Sequence, residues 1–349
     1  MKMDKKKLGA ITAIVVTLVL VVTVIIKINP TVKYNDDGTY AHFTEDDSYV
    51  SVFKHPAFEG YGRFLIPLST DIGRSFGVFG KIGTTNGAWS CNQDLLEAVN
   101  ACIDQVNTGD PLFYDYYTEE EIAADNTKAD TCIAFLKGEP GKPFIVLNGG
   151  GGFQDVAFLA EGIASGVPFW EAGYNVFVVK YRAEFDLPSE LGMSGLEIAV
   201  ADLGRAMQFI YAHAEEFEID TTNYAMAGFS AGSSLAQGWG TKGVGYDQFD
   251  IPKPTCMMLI YGAGLSLGNS SSNKTDITED FPATFTVACE GDMPRILEGM
   301  QSFKEKAAQL SIECFCEIYP NGSHGFGRGT NTGAEGWPEN AMKFWESLT

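Results

Sequence analysis

From residue 143 onward, short apolar runs alternate with longer stretches of helical periodicity. The runs have the length and composition of buried strands and cover residues 143–148, 175–181, 223–229, 255–261, 283–289 and 313–319. Helices are predicted between and after them, at 195–216, 296–310 and 337–348. This alternation predicts an α/β fold with a mainly parallel sheet and helices on both of its faces.

Residues 35–135 lack this alternation and are rich in aromatic, acidic and glycine residues. Two helices are predicted there, at 92–105 and 119–124. We interpret the segment as an N-terminal extension, which is either a cap over the functional site or a hairpin extension of the same sheet. The predicted division is a basic tip and transmembrane anchor at 1–30, an extension or cap at 31–135, and an α/β domain at 136–349.

The N-terminal apolar run, residues 8–26, contains no charged side chain. At about 1.5 Å per residue, its length matches a hydrocarbon core of about 30 Å. Lysines precede the run, which predicts a single-pass anchor in the cell membrane with the N-terminus inside and the α/β domain extracytoplasmic. A cleaved signal peptide and a secreted form are the alternative, although the run is not followed by an Ala-x-Ala site.

The formal net charge is −21, and residues 1–30 hold five lysines and one aspartate, so the remainder is more acidic still. Such a surface argues against nucleic acid as a partner and disfavours polyanionic substrates. Of the 7 cysteines, Cys91 and Cys102 are predicted to pair because both lie in the extension. A Cys-x-x-Cys motif is absent and there are only 4 histidines, so no metal site is predicted.

The segment Gly228-Phe229-Ser230-Ala231-Gly232 has the pattern Gly-x-Ser-x-Gly. It lies where a predicted strand gives way to a helix rich in small residues. A serine on such a sharp turn has a strained backbone and an exposed hydroxyl, and the flanking glycines avoid clashes with the neighbouring strand and helix. Ser230 is therefore predicted to be a nucleophile.

A serine nucleophile needs a base and a group that orients this base. His324 is the histidine that follows Ser230 in the chain, and it lies in a glycine-rich loop after a predicted strand. Asp292 is predicted to be the acid, because it lies in the loop directly after the strand-like run 283–289, follows a glycine that allows a tight turn and precedes a helix. Glu290 lies in the same loop and remains the alternative.

Asn148 is followed by four consecutive glycines and Phe153. Glycines are entropically costly, so something must approach this backbone closely. A flexible linker or a phosphate-binding turn would be the alternatives for the run alone. Together with the predicted triad, it predicts an oxyanion hole formed by the N–H groups of Gly151, Gly152 and Ala231.

These motifs resemble the α/β-hydrolase fold serine esterases, in particular the hormone-sensitive-lipase-like group and the bacterial acetyl-esterase and acetylxylan-esterase-like enzymes. The resemblance covers the last two-thirds of the chain and departs from the family at Gly149, where many relatives have His or Pro. It implies hydrolysis of a small-molecule or carbohydrate ester, with short acyl groups favoured and no cofactor. A serine peptidase of the prolyl-oligopeptidase type and a catalytically inactive binding module on the same fold are the alternatives.

Overall fold

In the computed structural model of the chain, the described residues are 31–65, 80–84, 91–183, 195–264 and 277–349. Within them, eight strands form one sheet in the order β1-β2-β4-β3-β5-β6-β7-β8. The strands are β1 (Phe113–Tyr114), β2 (Cys132–Leu136), β3 (Pro143–Asn148), β4 (Asn175–Lys180), β5 (Asp220–Phe229), β6 (Cys256–Ile260), β7 (Ala283–Gly291) and β8 (Cys314–Ser323). The strands from β3 to β8 pair in parallel, whereas β1 and β2 join the edge of the sheet antiparallel.

The described helices include the predicted ones to within a few residues, with 195–216 divided into two, and others that were not predicted. They are α1 (Tyr49–Phe53), α2 (Asn92–Asn107), α3 (Glu119–Ala124), α4 (Ala164–Glu171), α5 (Gly195–Ala212), α6 (Ala214–Phe217), α7 (Ala231–Gly240), α8 (Pro294–Gln309) and α9 (Trp337–Glu346). A π-helical turn, Phe158–Ile163, precedes α4, and short 3-10 turns cover Pro56–Phe58, Gly62–Leu65, Asn126–Asp130 and Tyr246–Phe249. Strands β4 and β6 are buried at every position, so both faces of the sheet are covered.

The part of the chain predicted as an extension or cap contributes β1 and β2 to the sheet edge, and its helix α2 packs against α4 and the π-helical turn. The domain boundary at residue 135 stays a prediction. The predicted pairing of Cys91 with Cys102 is wrong, because both thiols are free. Cys91 caps the start of α2 and Cys102 lies about three turns further along the same helix, a rise of about 16 Å. This separation is far beyond disulfide reach.

The predicted membrane anchor, residues 8–26, lies outside the described residues. Within the described ranges, none of the helices has the length and apolar character needed to cross a membrane.

Candidate active site

The turn that carries Ser230 has the strained geometry expected of it. Strand β5 ends at Phe229 and helix α7 begins at Ala231, while Ser230 between them has φ 50° and ψ −116°. A Cβ on Gly228 would lie 2.0 Å from the carbonyl oxygen of Gly232, and a Cβ on Gly232 would lie 2.1 Å from that of Asn148. Both glycines are therefore required by the close packing of β3, β5 and α7.

Three predicted site residues meet at the carboxyl ends of β5, β7 and β8. The Oγ atom of Ser230 lies 2.8 Å from Nε2 of His324, and Nδ1 of His324 lies 2.9 Å from Oδ1 of Asp292. The side chain of Asp292 is fully buried, whereas that of His324 is 22% exposed. This is the nucleophile–base–acid arrangement in which a serine hydroxyl can transfer its proton to an imidazole.

The acid in contact with His324 is Asp292 and not Glu290. Glu290 lies near the end of β7 and is exposed. The chain turns at once after this strand, with the Asp292 N–H donating to the carbonyl of Cys289 at 3.0 Å. A Cβ on Gly291 would lie 2.4 Å from the carbonyl oxygen of Gly322, so glycine lets β7 lie directly against the segment that precedes His324.

The glycine loop after β3 lies against the nucleophile. A Cβ on Gly150 would lie 2.8 Å from Cβ of Ser230, which shows how closely the two backbones approach. Gly151 and Gly152 have φ values of 129° and 67°, which favour glycine. The Gly150 N–H donates to a carboxylate oxygen of Glu161 at 2.6 Å and is thus already used within the protein. The oxyanion-hole role of Gly151, Gly152 and Ala231 stays a prediction.

Two residues that sequence reasoning missed complete the surroundings of the site. Glu161, in the π-helical turn, is 2% exposed, and the Tyr261 hydroxyl donates to its second carboxylate oxygen at 2.8 Å. Burial raises the pKa of Glu161 to about 7, against the opposing effects of the hydrogen bonds from Tyr261 and Gly150 and of His324. The available signal was a lone carboxylate in the otherwise uncharged and largely apolar run from Val156 to Phe169.

Within the described residues, no three His, Cys, Asp or Glu side chains form a group that could hold a metal ion.

Comparison with known proteins gives matches in sequence and in fold. Residues 136–252 match the family BD-FAE. An acetylxylan esterase of Xylanibacter ruminicola is 24% identical over 228 residues, which are 59% of this chain and 45% of that protein. Endo-1,4-beta-xylanase B of Butyrivibrio fibrisolvens is 24% identical over 223 residues, which are 55% of this chain and 34% of that protein. The matched region thus spans less than half the length of either relative.

Solved structures share the fold at low sequence identity. Thermogutta terrifontis esterase 2, phosphorylated by paraoxon, has a TM-score of 0.55 at 19% identity over 68% of this chain and 93% of its own. The acetyl ester-xyloside bifunctional hydrolase of Caldicellulosiruptor lactoaceticus has a TM-score of 0.51 at 21% identity over 62% of this chain and 88% of its own. The chain has the α/β-hydrolase fold. The resemblance predicted from the motifs is thereby confirmed, as is the α/β-hydrolase fold with its mainly parallel sheet.

Proposed function

We propose that this protein is a serine esterase that cleaves short-acyl carboxylic esters, with acetylated carbohydrate as its substrate class. The observation that carries the proposal is the hydrogen-bonded series Ser230, His324, Asp292 directly beside a glycine loop. The names of the acetylxylan esterase and of the bifunctional acetyl ester-xyloside hydrolase support the acetylated carbohydrate.

The reaction would proceed through an acyl-enzyme. Ser230 Oγ attacks the ester carbonyl carbon while His324 Nε2 accepts the hydroxyl proton, and Asp292 stabilises the resulting imidazolium. The N–H groups of Gly151, Gly152 and Ala231 would stabilise the oxyanion. His324 then donates its proton to the leaving alcohol, and a water molecule activated by His324 hydrolyses the acyl-enzyme.

The test is hydrolysis of p-nitrophenyl esters from acetate to octanoate, together with acetate release from acetylated xylan, by the full chain. Ser230→Ala should abolish turnover. Ser234→Ala is the matched control, since this hydroxyl is buried in the same helix and has no hydrogen-bond partner among the described residues. It should retain activity.

A fluorophosphonate probe separates the alternative functions. Labelling of Ser230 without turnover of any ester would favour the peptidase, to be followed with peptide substrates. A folded protein that shows neither labelling nor turnover would refute the enzyme and favour the binding module.

We also propose that residues 1–30 hold the protein at the cell membrane with its α/β domain extracytoplasmic. The uncharged run 8–26 and the lysines before it support this orientation. The test is fractionation of cells expressing the full chain, followed by protease treatment of intact cells. Recovery of the uncleaved chain in the cytosol would refute the proposal.

A further inference from the structure

The carboxylate of Glu161 connects two loops that carry different parts of the site. Its Oε2 atom accepts the N–H of Gly150 at 2.6 Å, and its Oε1 atom accepts the Tyr261 hydroxyl at 2.8 Å. Neither oxygen takes part in the proton transfers of the proposed reaction. The side chain is 2% exposed, so both hydrogen bonds are shielded from water.

Tyr261 extends this connection to the loop of the base. It follows β6 with φ 40°, a value uncommon for a residue with a side chain. Its hydroxyl accepts the N–H of Gly327 at 3.2 Å, and its ring packs edge-on against His324 with 5.1 Å between ring centroids. The hydroxyl thus donates to Glu161 while it accepts from the backbone just beyond His324.

The second hydrogen-bond partner of Glu161, Gly150, lies against the nucleophile Ser230. Its backbone is in close contact with Phe229 and Ser230, since a Cβ there would lie 2.5 Å from the Phe229 carbonyl oxygen. The next two residues are Gly151 and Gly152, the predicted oxyanion donors. A small displacement of Gly150 would therefore move these donors relative to Ser230, and oxyanion stabilisation depends steeply on donor position.

We propose that Glu161 is a positioning residue, whose ionised carboxylate fixes the oxyanion loop through Gly150 and the His324 loop through Tyr261. This inference rests on the proposed esterase function. An ionised carboxylate accepts hydrogen bonds at both oxygens, whereas the neutral acid carries a proton on one of them. Protonation at Oε2 would set a donor against the Gly150 N–H, whereas protonation at Oε1 would reverse the hydrogen bond with the Tyr261 hydroxyl, whose own proton then loses its acceptor. Either state weakens the contact with one of the two loops.

The state of this carboxylate depends on pH in the range where an esterase is assayed. Burial raises the pKa of Glu161 to about 7, and the hydrogen bonds from Tyr261 and Gly150 and the charge of His324 oppose the shift. The hydroxyl of Tyr181 donates to the Gly149 carbonyl at 2.7 Å, and Tyr181 also interacts electrostatically with the Glu161 carboxylate.

Four charged side chains on the elements packed against the π-helical turn have partners of their own. Asp94 accepts from Thr330, Glu97 pairs with Arg328, Arg63 donates to the carbonyls of Gly60 and Ala129, and Lys180 donates to the carbonyl of Tyr181.

The test compares the unmodified full chain with Glu161→Gln across about pH 5.5 to 8.5. Glutamine keeps the size but, like the neutral acid, offers only one acceptor oxygen. We expect kcat of Glu161→Gln to be about tenfold lower at pH 8.5 with KM changed less than twofold, because the lost hydrogen bond acts mainly on the transition state. The ratio of the two kcat values should fall towards one near pH 5.5, where Glu161 is itself protonated.

A purely structural role would give a ratio that does not change with pH, and that result would overturn the inference. So would a Glu161→Gln protein within twofold of the unmodified chain at pH 8.5. Absence of turnover and of fluorophosphonate labelling in the unmodified protein would instead refute the proposed function.

Tyr261→Phe provides a second variant if Glu161→Gln does not fold. It keeps the ring against His324 but removes a donor that stabilises the charged carboxylate, so the acid limb of its pH profile should move to higher pH. Tyr116→Phe is the matched control, because its buried hydroxyl donates to the Lys180 carbonyl at 3.0 Å, away from both loops. An unshifted profile for Tyr261→Phe would contradict the inference.

Discussion

Replacement of Asp292 by asparagine should lower kcat by about three orders of magnitude while the site keeps its geometry. Oδ1 of Asp292 accepts from Nδ1 of His324 at 2.9 Å and from the N–H of Met293 at 2.7 Å. Oδ2 is buried and has no hydrogen-bond partner among the described residues. An asparagine can therefore place its carbonyl oxygen at the Oδ1 position and its NH₂ group at the Oδ2 position, so that mainly the negative charge is lost.

The magnitude follows from the charge that Asp292 places beside His324. The 2.9 Å contact puts the charge centres of carboxylate and imidazolium about 4 Å apart, which gives about 4 kcal/mol at an effective dielectric constant of about 20. An intermediate dielectric constant suits a fully buried Asp292 beside a His324 that is 22% exposed. At about 1.4 kcal/mol per tenfold change in rate, the loss corresponds to about a thousandfold.

The assay is kcat for p-nitrophenyl acetate hydrolysis, with circular dichroism and thermal unfolding to verify the fold. Glu290→Gln is the matched control: it removes an exposed carboxylate two residues away and should leave kcat within about twofold. A loss of less than tenfold for Asp292→Asn, or an equal loss for Glu290→Gln, would refute the assignment of Asp292 as the triad acid.

Further predictions concern stability. Gly228→Ala should prevent folding, because its Cβ would lie 2.0 Å from the Gly232 carbonyl oxygen. Gly152→Ala should lower the free energy of unfolding by only about 1–2 kcal/mol, because its φ is 67° but no atom lies within 4 Å of the added Cβ. Equal shifts of the two variants in thermal unfolding would contradict this. The pKa of Glu161 rises from 4.5 in the unfolded chain to about 7 in the folded protein. As pH rises through this range, the side chain ionises in the unfolded chain first, so the free energy of unfolding falls until about pH 7. In urea unfolding, the unmodified protein should therefore lose up to about 3 kcal/mol relative to Glu161→Gln between pH 5 and 8, and a constant difference would disprove this. Asp202→Asn should lower the free energy of unfolding by about 3 kcal/mol, because it removes the fully buried partner of Arg182, whereas an effect below about 1 kcal/mol would contradict it.

The local elements of this protein could be predicted from the sequence because their signals are local. Strand β3 and helix α3 have the predicted bounds. Each of the other central strands differs from its own predicted bounds by a few residues at its ends. The turn at Ser230 was predicted for the same reason, since the positions where glycine is required follow from the sharp passage of a strand into a helix. In the family that the motifs resemble the base follows the serine, and this order sufficed to select His324, because the other three histidines precede Ser230.

The tertiary structure decided which groups face one another. Asp292 was the acid predicted from the sequence and Glu290 the alternative, and the turn after β7 decides between them, because it buries Asp292 against His324 and leaves Glu290 exposed. The pairing of β2 with β4, which places residues 132–136 at the sheet edge, depends on contacts between segments distant in the chain.

Glu161 shows the same limit most clearly. The sequence pattern around it predicts no functional role, whereas its hydrogen bonds reach Gly150 and Tyr261, which lie 11 and 100 positions away in the chain. The sequence determined that a serine, a histidine and a glycine loop would lie at strand ends. Only the packing of the strands decided which buried carboxylate connects those loops, because a hydrogen bond depends on distance in space and not on separation along the chain.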